Sequence, residues 1–266
     1  MTPDQIKQFR SEGWTCVPAL FNAAETRTMR NEIQHLQASG RLRNVATDGD
    51  ARTTSRTQFN LQLCPLSPHS EAFRCVPHLP SVVAAVDALI GVGSMLHLDQ
   101  VFLKPPHTGA GTAWHQDNAY FHISDPTMGT AMWIAIDDAT TENGTLRVVP
   151  RRQRDQLNHE RDPFSDHHIR CFPEESEAVT VELEAGGAVF FCYGTPHCTG
   201  ANPTQKSRAG VALHFVQGDA LPGGGFPATD GLRHASISGP LADRALQQEL
   251  RATWNRLVRS TEDAGA

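Results

Sequence analysis

The sequence has no long hydrophobic run and no excess of positive charge. Acidic side chains outnumber basic ones in its 266 residues, and the formal net charge is −6. A nucleic-acid-binding surface needs clustered basic residues, so nucleic acid is not an expected partner. No apolar run reaches the roughly 20 residues of a transmembrane helix, and the polar N-terminus lacks the pattern of a signal peptide. We therefore expect a cytoplasmic protein with no membrane partner.

Cysteines in metal-binding or redox spacing are also lacking. The chain has six, none of them in a Cys-x-x-Cys pair: Cys16, Cys64, Cys75, Cys171, Cys192 and Cys198. Without an export signal they are expected to be reduced thiols, mostly buried as small apolar residues. Cys192 and Cys198 flank His197, but their spacing fits no usual zinc framework, so a zinc site is the weaker hypothesis here.

Three metal-binding side chains and an arginine stand in an informative order. His115 and Asp117 are separated by one residue, and His197 follows 82 positions after His115. Two imidazoles and one carboxylate form the facial triad that holds non-haem iron(II) and leaves positions open for substrate and O2. Arg208 follows eleven residues after His197, where a neighbouring strand would let its planar guanidinium bind a carboxylate. The pattern predicts an oxygenase that uses iron(II), O2 and 2-oxoglutarate.

A His-x-Asp pair alone is weak support for a metal site. The chain has 13 histidines, so chance pairs are common, and most would be solvated residues of a loop. The surroundings favour the metal site, because Trp114, Tyr120 and Phe121 flank the pair and suit a partly dry pocket.

Short apolar strands separated by Gly, Pro, Asn and Asp clusters dominate the middle of the chain. They are predicted at 96–103, 130–137, 146–149, 178–183, 188–192 and 209–216. Helices are predicted mainly in the preceding part, at 3–12, 22–36 and 79–90. This order predicts a mainly β protein with flanking helices (α+β), in which an antiparallel double-sheet barrel carries the helices on its outside.

Four segments carry a specific family pattern. They are Phe-Arg-Ser-Glu-Gly-Trp at 9–14, Trp-His-Gln-Asp at 114–117, Glu-Asn-Gly-Thr-Leu-Arg-Val-Val-Pro at 142–150, and the block of His197, Asn202 and Arg208. Together they resemble the phytanoyl-CoA dioxygenase family of iron(II)- and 2-oxoglutarate-dependent oxygenases. One departure is Arg-Arg-Gln at 151–153, where family members often have Gly-Ser-His, so substrate contacts made there are not carried over.

The resemblance implies a fold and a ligand set. The fold is a double-stranded β-helix, the jelly-roll or cupin-like barrel. By the resemblance His115, Asp117 and His197 bind the iron, and Arg208 binds the distal carboxylate of 2-oxoglutarate. Related iron halogenases have Ala or Gly in place of Asp117, so a carboxylate at this position argues against halogenation.

We expect a single domain with three parts. The domain spans residues 1–266, and its parts are a helical N-terminal part with a lid loop (1–94), a jelly-roll core (95–218) and a C-terminal helix (240–259). The loop at 38–57 is long enough to be either disordered or an active-site lid, and the family resemblance favours the lid, because the family commonly covers its site with such segments. A glycine- and proline-rich break is predicted at 222–227.

The C-terminal helix carries one apolar stripe, formed by Leu246, Leu250, Trp254 and Leu257. Packing against the core is the simpler explanation of the stripe, and a dimer contact is the alternative. The protein is accordingly expected to be a monomer or a homodimer.

Gln100 and Thr199 are further candidates to bind the 2-oxoglutarate carboxylate. Gln100, Phe102 and Lys104 share one face of a strand by period-two alternation, and Gln100 would donate to the carboxylate if that face is inward. As a cross-strand polar partner it would have no such role. Thr199 lies between His197 and Arg208 in the sequence and would reach the same carboxylate.

Other polar and aromatic residues are expected to have structural roles. Trp133 fills the core rather than lining the pocket, Asn202 shapes the turn after His197, and His214 is a satisfied core histidine. Three histidines in polar, loop-like contexts are expected to be solvated: His122, His167 and His168.

Three functions fit these residues. The first is a dioxygenase that hydroxylates a small-molecule metabolite and releases succinate and CO2. The second keeps the same cofactors but ends in epimerisation, desaturation or cyclisation of a natural-product intermediate, because ligand spacing does not encode the outcome. The third is a non-catalytic metal-binding jelly-roll module. The joint presence of the three metal ligands and Arg208 argues against the third.

Overall fold

The computed structural model describes residues 1–221 and 235–264, so the predicted break at 222–227 lies outside the described residues. Helices and strands are numbered here in chain order. The α-helices are α1 Pro3–Glu12, α2 Ala23–Ala38, α3 Glu71–Cys75, α4 Pro80–Ile90, α5 Asn118–Phe121 and α6 Arg244–Asp263. The strands are β1 Trp14–Val17, β2 Arg43–Asn44, β3 Leu61–Leu63, β4 Ser94–Lys104, β5 Thr112–His115, β6 Gly129–Ala135, β7 Leu146–Val148, β8 Glu160–Arg161, β9 Ile169–Arg170, β10 Val179–Val181, β11 Ala188–Cys192, β12 His197–Thr199 and β13 Arg208–Gln217.

The first two helices begin where the sequence predicts. Thr2 caps α1 and forms a reciprocal capping box with Gln5, and Asn22 does the same for α2 with Glu25. These caps satisfy backbone N–H groups that have no partner within the helix. Helix α1 ends at Gly13, whose φ of 80° lies in the left-handed region that glycine adopts without strain.

Two antiparallel sheets face each other across one core. The larger sheet has the order β1-β11-β6-β13-β4-β3-β2, and the smaller sheet has the order β10-β7-β12-β5. Apolar side chains of β6, β11 and β13 meet Leu146, Val148 and Val181 of the smaller sheet in one buried cluster. The predicted double-sheet architecture with flanking helices is confirmed, although the described strands form two facing sheets that do not close into a barrel.

Alternation along β13 separates an outer core from an inner cavity. Val211 and Leu213 belong to the outer cluster, under the helices. Ala212 belongs to the inner cluster, and Arg208 and His214 line the cavity between the sheets. Because successive side chains of a strand point to opposite faces, the apolar residues of β13 fix the inward direction of these polar ones.

Helix α6 packs on the outer core. Its residues Leu250 and Trp254 are buried in the outer cluster, and Leu246 and Leu257 pack against that cluster. Trp254 Nε1 also donates to Glu25 Oε1 of α2 at 3.1 Å. The apolar stripe predicted for this helix therefore packs against the rest of the chain.

The predicted loop at 38–57 forms part of the cavity wall. It contains β2, which pairs with β3 at the edge of the larger sheet. The Asn44 side chain donates to the carbonyls of Ser55 and Gln58, each at 3.0 Å. These bonds hold the segment closed on itself, and Arg43 beside Asn44 lines the cavity.

No single helix in the described ranges has both the length and the apolar character to cross a membrane. One bent pair, Glu71–His78 with Pro80–Ile90 at 48°, meets both conditions by length and composition alone.

Candidate metal centre and co-substrate pocket

Strand pairing brings the two predicted histidine ligands together. His115 ends β5, His197 begins β12, and the two are opposite each other in the antiparallel register. Asp117 lies two residues beyond β5, directly before α5. Its Oδ1 is 3.8 Å from His115 Nε2 and 3.7 Å from His197 Nε2, and all three side chains are buried. The fold thus gathers the three predicted ligands into one group that could hold a metal ion.

The same local contact fixes the tautomer of both histidines. His115 Nδ1 lies 2.8 Å from the Ala113 carbonyl oxygen, and His197 Nδ1 lies 3.0 Å from the Thr195 carbonyl oxygen. A carbonyl oxygen only accepts, so each Nδ1 carries the proton and donates it. Each Nε2 keeps a free lone pair near Asp117, which is the state in which histidine binds a metal ion.

The charges of this group suit a divalent cation. Burial, and then the neighbouring His115, lower the pKa of His197 from 6.5 to about 3, and burial lowers the pKa of His115. Burial alone would raise the pKa of Asp117, but His197 and His214 hold that pKa below its ordinary value. At neutral pH the group is two neutral imidazoles and one carboxylate. That donor set fits iron(II).

Cysteine is not part of this metal group. Among the described residues, the one set of side chains placed to hold a metal ion is His115, Asp117 and His197. Cys192 and Cys198 are buried, and burial raises the pKa of each thiol to about 12. Neither thiol belongs to the set that could hold a metal ion, so the zinc hypothesis has no ligand group among the described residues.

His214 contacts the carboxylate ligand. It is buried and lies outside the metal group, as expected of a core histidine, but it is not fully hydrogen-bonded. Its Nε2 lies 3.3 Å from Asp117 Oδ2. The ring lines the cavity, edge-on to Phe121, and Nδ1 has no hydrogen-bond partner among the described residues. With Oδ2 beside His214, Oδ1 is the oxygen that faces the two ligand histidines. Period-two alternation from Arg208 along β13 is the sequence signal that places His214 on the inner face.

Arg208 is a fully buried cation with unused hydrogen-bond donors. Its Nη2 donates to the Gly144 carbonyl at 2.5 Å, and its guanidinium lies 5.3 Å from the centre of the Trp133 ring. Its Nε and Nη1 have no hydrogen-bond partner in the described part of the chain. Burial lowers the pKa of Arg208 to about 10, so the group is charged at neutral pH. A buried guanidinium in this state fits a carboxylate ligand.

Thr199 presents a hydroxyl donor to the same cavity. Its Oγ1 accepts hydrogen bonds from Lys104 Nζ at 2.8 Å and from the Thr112 backbone N–H at 3.2 Å. Both acceptor positions of the hydroxyl are then occupied, so its own proton is left for a ligand. Lys104 is 1% exposed, and burial, followed by the charge of Arg208, lowers its pKa. Lys104 therefore holds the Thr199 hydroxyl in position and is not itself assigned a contact with the ligand.

These groups line a cavity of about 430 Å³ between the two sheets. Gln100 also lines it, so the face of β4 that carries Gln100 is inward, as its predicted role requires. Trp133 is 3% exposed and belongs to the inner core, but it lines the cavity as well, beyond its expected role. Ligand pockets commonly span about 300–1,000 Å³, so this cavity suits 2-oxoglutarate together with a compact substrate.

His168 also lines the cavity, and the expectation that it is solvated is wrong. It is 7% exposed and lies within hydrogen-bond distance of Gln62 and Tyr120. The polar segment that precedes β9 folds back onto the 38–57 loop, where Ser165 forms an isolated antiparallel bridge with Ala46. His122 and His167 are exposed, as predicted.

The comparison with known families agrees with this site. A model of the phytanoyl-CoA dioxygenase family (PhyH) matches residues 9–210, which is well over half of the chain. The chain belongs to the phytanoyl-CoA dioxygenase family. Members of this family are iron(II)- and 2-oxoglutarate-dependent oxygenases, so the predicted enzyme class and cofactors are confirmed at the level of the family.

Two relatives and one solved structure illustrate what this chain is similar to. The human peroxisomal phytanoyl-CoA dioxygenase is 25% identical over 236 residues, covering 82% of this chain and 69% of the human protein. The L-proline trans-4-hydroxylase of Streptomyces griseoviridis is 28% identical over 223 residues, covering 80% and 76%. The structure of the non-haem epimerase SnoN from nogalamycin biosynthesis has the same fold, with a TM-score of 0.69, 21% identity, and coverage of 89% of this chain and 98% of SnoN.

Proposed function

We propose that this chain is an iron(II)- and 2-oxoglutarate-dependent dioxygenase that hydroxylates a compact small molecule. The supporting observation is one cavity that holds both a His-Asp-His group, with neutral imidazoles and an ionised carboxylate, and a buried arginine with two nitrogens that have no hydrogen-bond partner among the described residues. His115, Asp117 and His197 would hold the iron. When bound, iron and 2-oxoglutarate supply the activation of O2, with release of succinate and CO2 and oxidation of a substrate C–H bond.

The chain's own residues orient the reactants and keep water out. Arg208 and Thr199 would bind the distal carboxylate of 2-oxoglutarate, because both present unused donors to the cavity. Gln100 would add a third donor. Trp133 supports the Arg208 guanidinium from one side. The walls between the sheets are largely apolar, so each of these charged contacts is stronger than it would be in water.

Hydroxylation is the proposed outcome, and a different outcome with the same cofactors is the second candidate. The relative from Streptomyces griseoviridis is by name a hydroxylase of the small molecule L-proline, which supports the first. The fold shared with an epimerase supports epimerisation, desaturation or cyclisation as the second. A non-catalytic module is disfavoured, because it would have no use for a complete metal group and a free buried arginine in one cavity.

The test is 2-oxoglutarate turnover by purified protein with added iron(II) and O2. We expect succinate to form only when iron is present, His197→Ala to abolish it, and the exposed-residue control His69→Ala to retain it. Succinate formation by His197→Ala at the wild-type rate would contradict the assignment of the ligand. Once a substrate is found, incorporation of an oxygen atom from ¹⁸O2 into the product separates hydroxylation from the alternatives.

A further inference from the structure

Three polar side chains form a connected chain in another part of the cavity wall. Gln62 Nε2 lies 3.2 Å from His168 Nε2, and His168 Nδ1 lies 3.3 Å from the Tyr120 hydroxyl. All three line the cavity, and Gln62 and His168 are only 4% and 7% exposed. Neither the metal group nor the proposed carboxylate site uses them. We call Gln62, His168 and Tyr120 the polar relay.

Sheet order separates the polar relay from the carboxylate site. In the larger sheet, β4 lies between β13, which begins with Arg208, and β3, which carries Gln62. In the smaller sheet, Thr199 belongs to β12, and β5 is the edge strand next to it. The segment after His168 lies beyond β5, where the Cys171 N–H donates to the Trp114 carbonyl at 2.7 Å. A ligand at the relay therefore lies on the other side of the cavity from the 2-oxoglutarate carboxylate.

The polar relay is nevertheless close to the metal group. The His168 ring centre is 6.1 Å from that of His115, and the Tyr120 ring centre is 6.0 Å from it. Tyr120 lies on α5, which begins directly after Asp117. A substrate group bound at the relay would place neighbouring carbon atoms beside the metal, which is the position a C–H oxidation requires.

Hydrogen-bond accounting shows what the polar relay offers to a ligand. Burial lowers the pKa of His168 far below its ordinary value, so the ring is neutral and has one N–H and one acceptor nitrogen. If Gln62 donates to Nε2, then Nδ1–H donates to the Tyr120 hydroxyl, which also accepts from Ile169 N–H at 2.9 Å. Both acceptor positions of Tyr120 are then filled, and its O–H proton has no acceptor among the described residues.

The reverse arrangement leads to the same result. If His168 Nε2–H donates to the Gln62 amide oxygen, Nδ1 accepts from the Tyr120 O–H. Both N–H groups of the Gln62 amide are then left for the cavity, since no other partner of that amide exists in the described ranges. In both arrangements the relay presents a hydrogen-bond donor to the ligand. Gln62 is 4% exposed, and an unmatched donor on its buried amide costs about 1–3 kcal/mol, whereas Tyr120 is 36% exposed and water can accept its proton. A ligand with an acceptor atom is therefore favoured, and most strongly in the reverse arrangement.

The charges at the mouth of the cavity cancel. Arg43 lines the cavity but forms an ion pair with Asp166, which His167 Nδ1 also contacts at 2.7 Å. Burial alone would raise the pKa of Asp166, but Arg43 and His167 hold that pKa below its ordinary value. The carboxylate therefore neutralises Arg43, and the described residues at this end of the cavity offer an anionic substrate no unpaired cation.

We propose that the polar relay is the substrate-recognition site, and that it binds a neutral oxygen acceptor, a carbonyl or hydroxyl oxygen, on a compact and mostly apolar molecule. The apolar part would lie against Leu98, Phe102 and Phe121, which line the same cavity. This inference rests on the proposed function, because it assigns the substrate end of the cavity whose other end holds 2-oxoglutarate.

Three probes that share one ring test the chemical class. Cyclohexanone carries an acceptor oxygen, cyclohexylammonium carries only donors, and cyclohexanecarboxylate carries a negative charge. Binding is measured by ligand-observed NMR with anaerobic protein loaded with iron(II) and 2-oxoglutarate, where paramagnetic relaxation reports binding near the metal. We expect cyclohexanone to bind more tightly than either charged probe. No detectable binding of cyclohexanone, or tighter binding of a charged probe, would overturn the proposal.

Two variants then test the residues. Gln62→Met and Tyr120→Phe keep the size of the side chain and remove donors, and we expect each to weaken cyclohexanone binding by about 3- to 10-fold, the effect of one hydrogen bond. The matched control is Gln58→Met at an exposed position, which should bind cyclohexanone like wild type. Wild-type affinity in both relay variants would overturn the recognition site.

The design separates this inference from the proposed function. All titrations are repeated without iron and 2-oxoglutarate, with saturation-transfer NMR as the readout, so that probe recognition is measured independently of the cofactors. If 2-oxoglutarate fails to bind to folded wild-type protein, the proposed function is wrong. If 2-oxoglutarate binds normally to the relay variants while cyclohexanone binding is weakened, the recognition site is supported.

Discussion

Replacing Arg208 with methionine should separate stability from co-substrate binding. The change removes a bond to the Gly144 carbonyl and a contact with Trp133, worth about 1.5–3 and 1–2 kcal/mol. It also removes a buried charge whose Nε and Nη1 have no hydrogen-bond partner among the described residues, and an uncompensated buried charge costs several kcal/mol. These terms nearly cancel, so the free energy of unfolding of the ligand-free protein should change little.

Binding of 2-oxoglutarate should change much more. In Arg208→Met the distal carboxylate of the ligand would enter a buried site without its charged partner, which costs about 3–5 kcal/mol. Since about 1.4 kcal/mol is a factor of ten, the Kd should rise by roughly 10²- to 4 × 10³-fold.

Thermal unfolding with and without 2-oxoglutarate measures both effects. A ligand at 100 times its Kd stabilises the folded state by about 2.7 kcal/mol, so the Tm of the wild type should rise, while the Tm of Arg208→Met should stay unchanged at the same concentration. Arg154→Met is the matched control, because Arg154 is exposed and paired with Asp125. An equal 2-oxoglutarate-induced shift in Arg208→Met and wild type would refute the role of Arg208.

Three further changes test other parts of the molecule. His214→Leu removes the contact with Asp117 and should weaken iron(II) binding by about 10- to 100-fold, measured by competition with a chelator. Lys104→Met removes the donor that positions Thr199 and should raise the Kd for 2-oxoglutarate while leaving iron affinity unchanged. Burial lowers the pKa of His78 from 6.5 to about 4, so His78→Leu should flatten the loss of stability on acidification, measured by urea unfolding at pH 7 and pH 5.

The sign of the His78 effect follows from proton binding. Between pH 6.5 and 4 the unfolded chain binds a proton at His78 that the folded chain does not, so stability from this residue is full above pH 6.5 and falls, by up to about 3 kcal/mol, as pH drops through the window. The exposed His69→Leu is the control. The same pH dependence of stability in His78→Leu and wild type would contradict this argument. For His214→Leu the contradicting result is an unchanged iron(II) affinity, and for Lys104→Met it is an unchanged Kd for 2-oxoglutarate.

Local patterns in the sequence predicted the elements and the positions of the metal group. Period-two alternation in β13 and helix caps at Thr2 and Asn22 depend on neighbouring residues only, so they are visible in the chain. His115 and His197 were predictable as ligands of one metal ion. An apolar strand leads to His197, and in the predicted antiparallel sheet the chain at His197 must fold back beside His115. Asn202 shapes the following turn, as predicted, because its side chain donates to the Lys206 carbonyl at 2.8 Å and accepts from the Thr204 N–H at 3.2 Å.

Roles that depend on long-range burial were not predictable. His168 lies in a polar segment, which predicts solvation, and only tertiary folding against Gln62 buries it. Lys104 was expected on the same strand face as Gln100. Its role, which is to hold the Thr199 hydroxyl in position, depends on a residue 95 positions away in the sequence. His214 alternates in an apolar strand like a core residue, and its contact with Asp117 requires two sheets to face each other. Such pairings are set by the whole fold, and residue patterns within one strand do not encode them.

The most direct test of the central claim is an anaerobic titration of the protein with iron(II) and then 2-oxoglutarate, followed by visible absorption. We predict one iron per chain and a weak metal-to-ligand charge-transfer band that appears only after 2-oxoglutarate is added, is absent in Asp117→Ala, and is reduced in Arg208→Met at the same ligand concentration. Folded protein that binds no stoichiometric iron, or an undiminished band in Asp117→Ala, would contradict the assignment of this cavity as an oxygenase site.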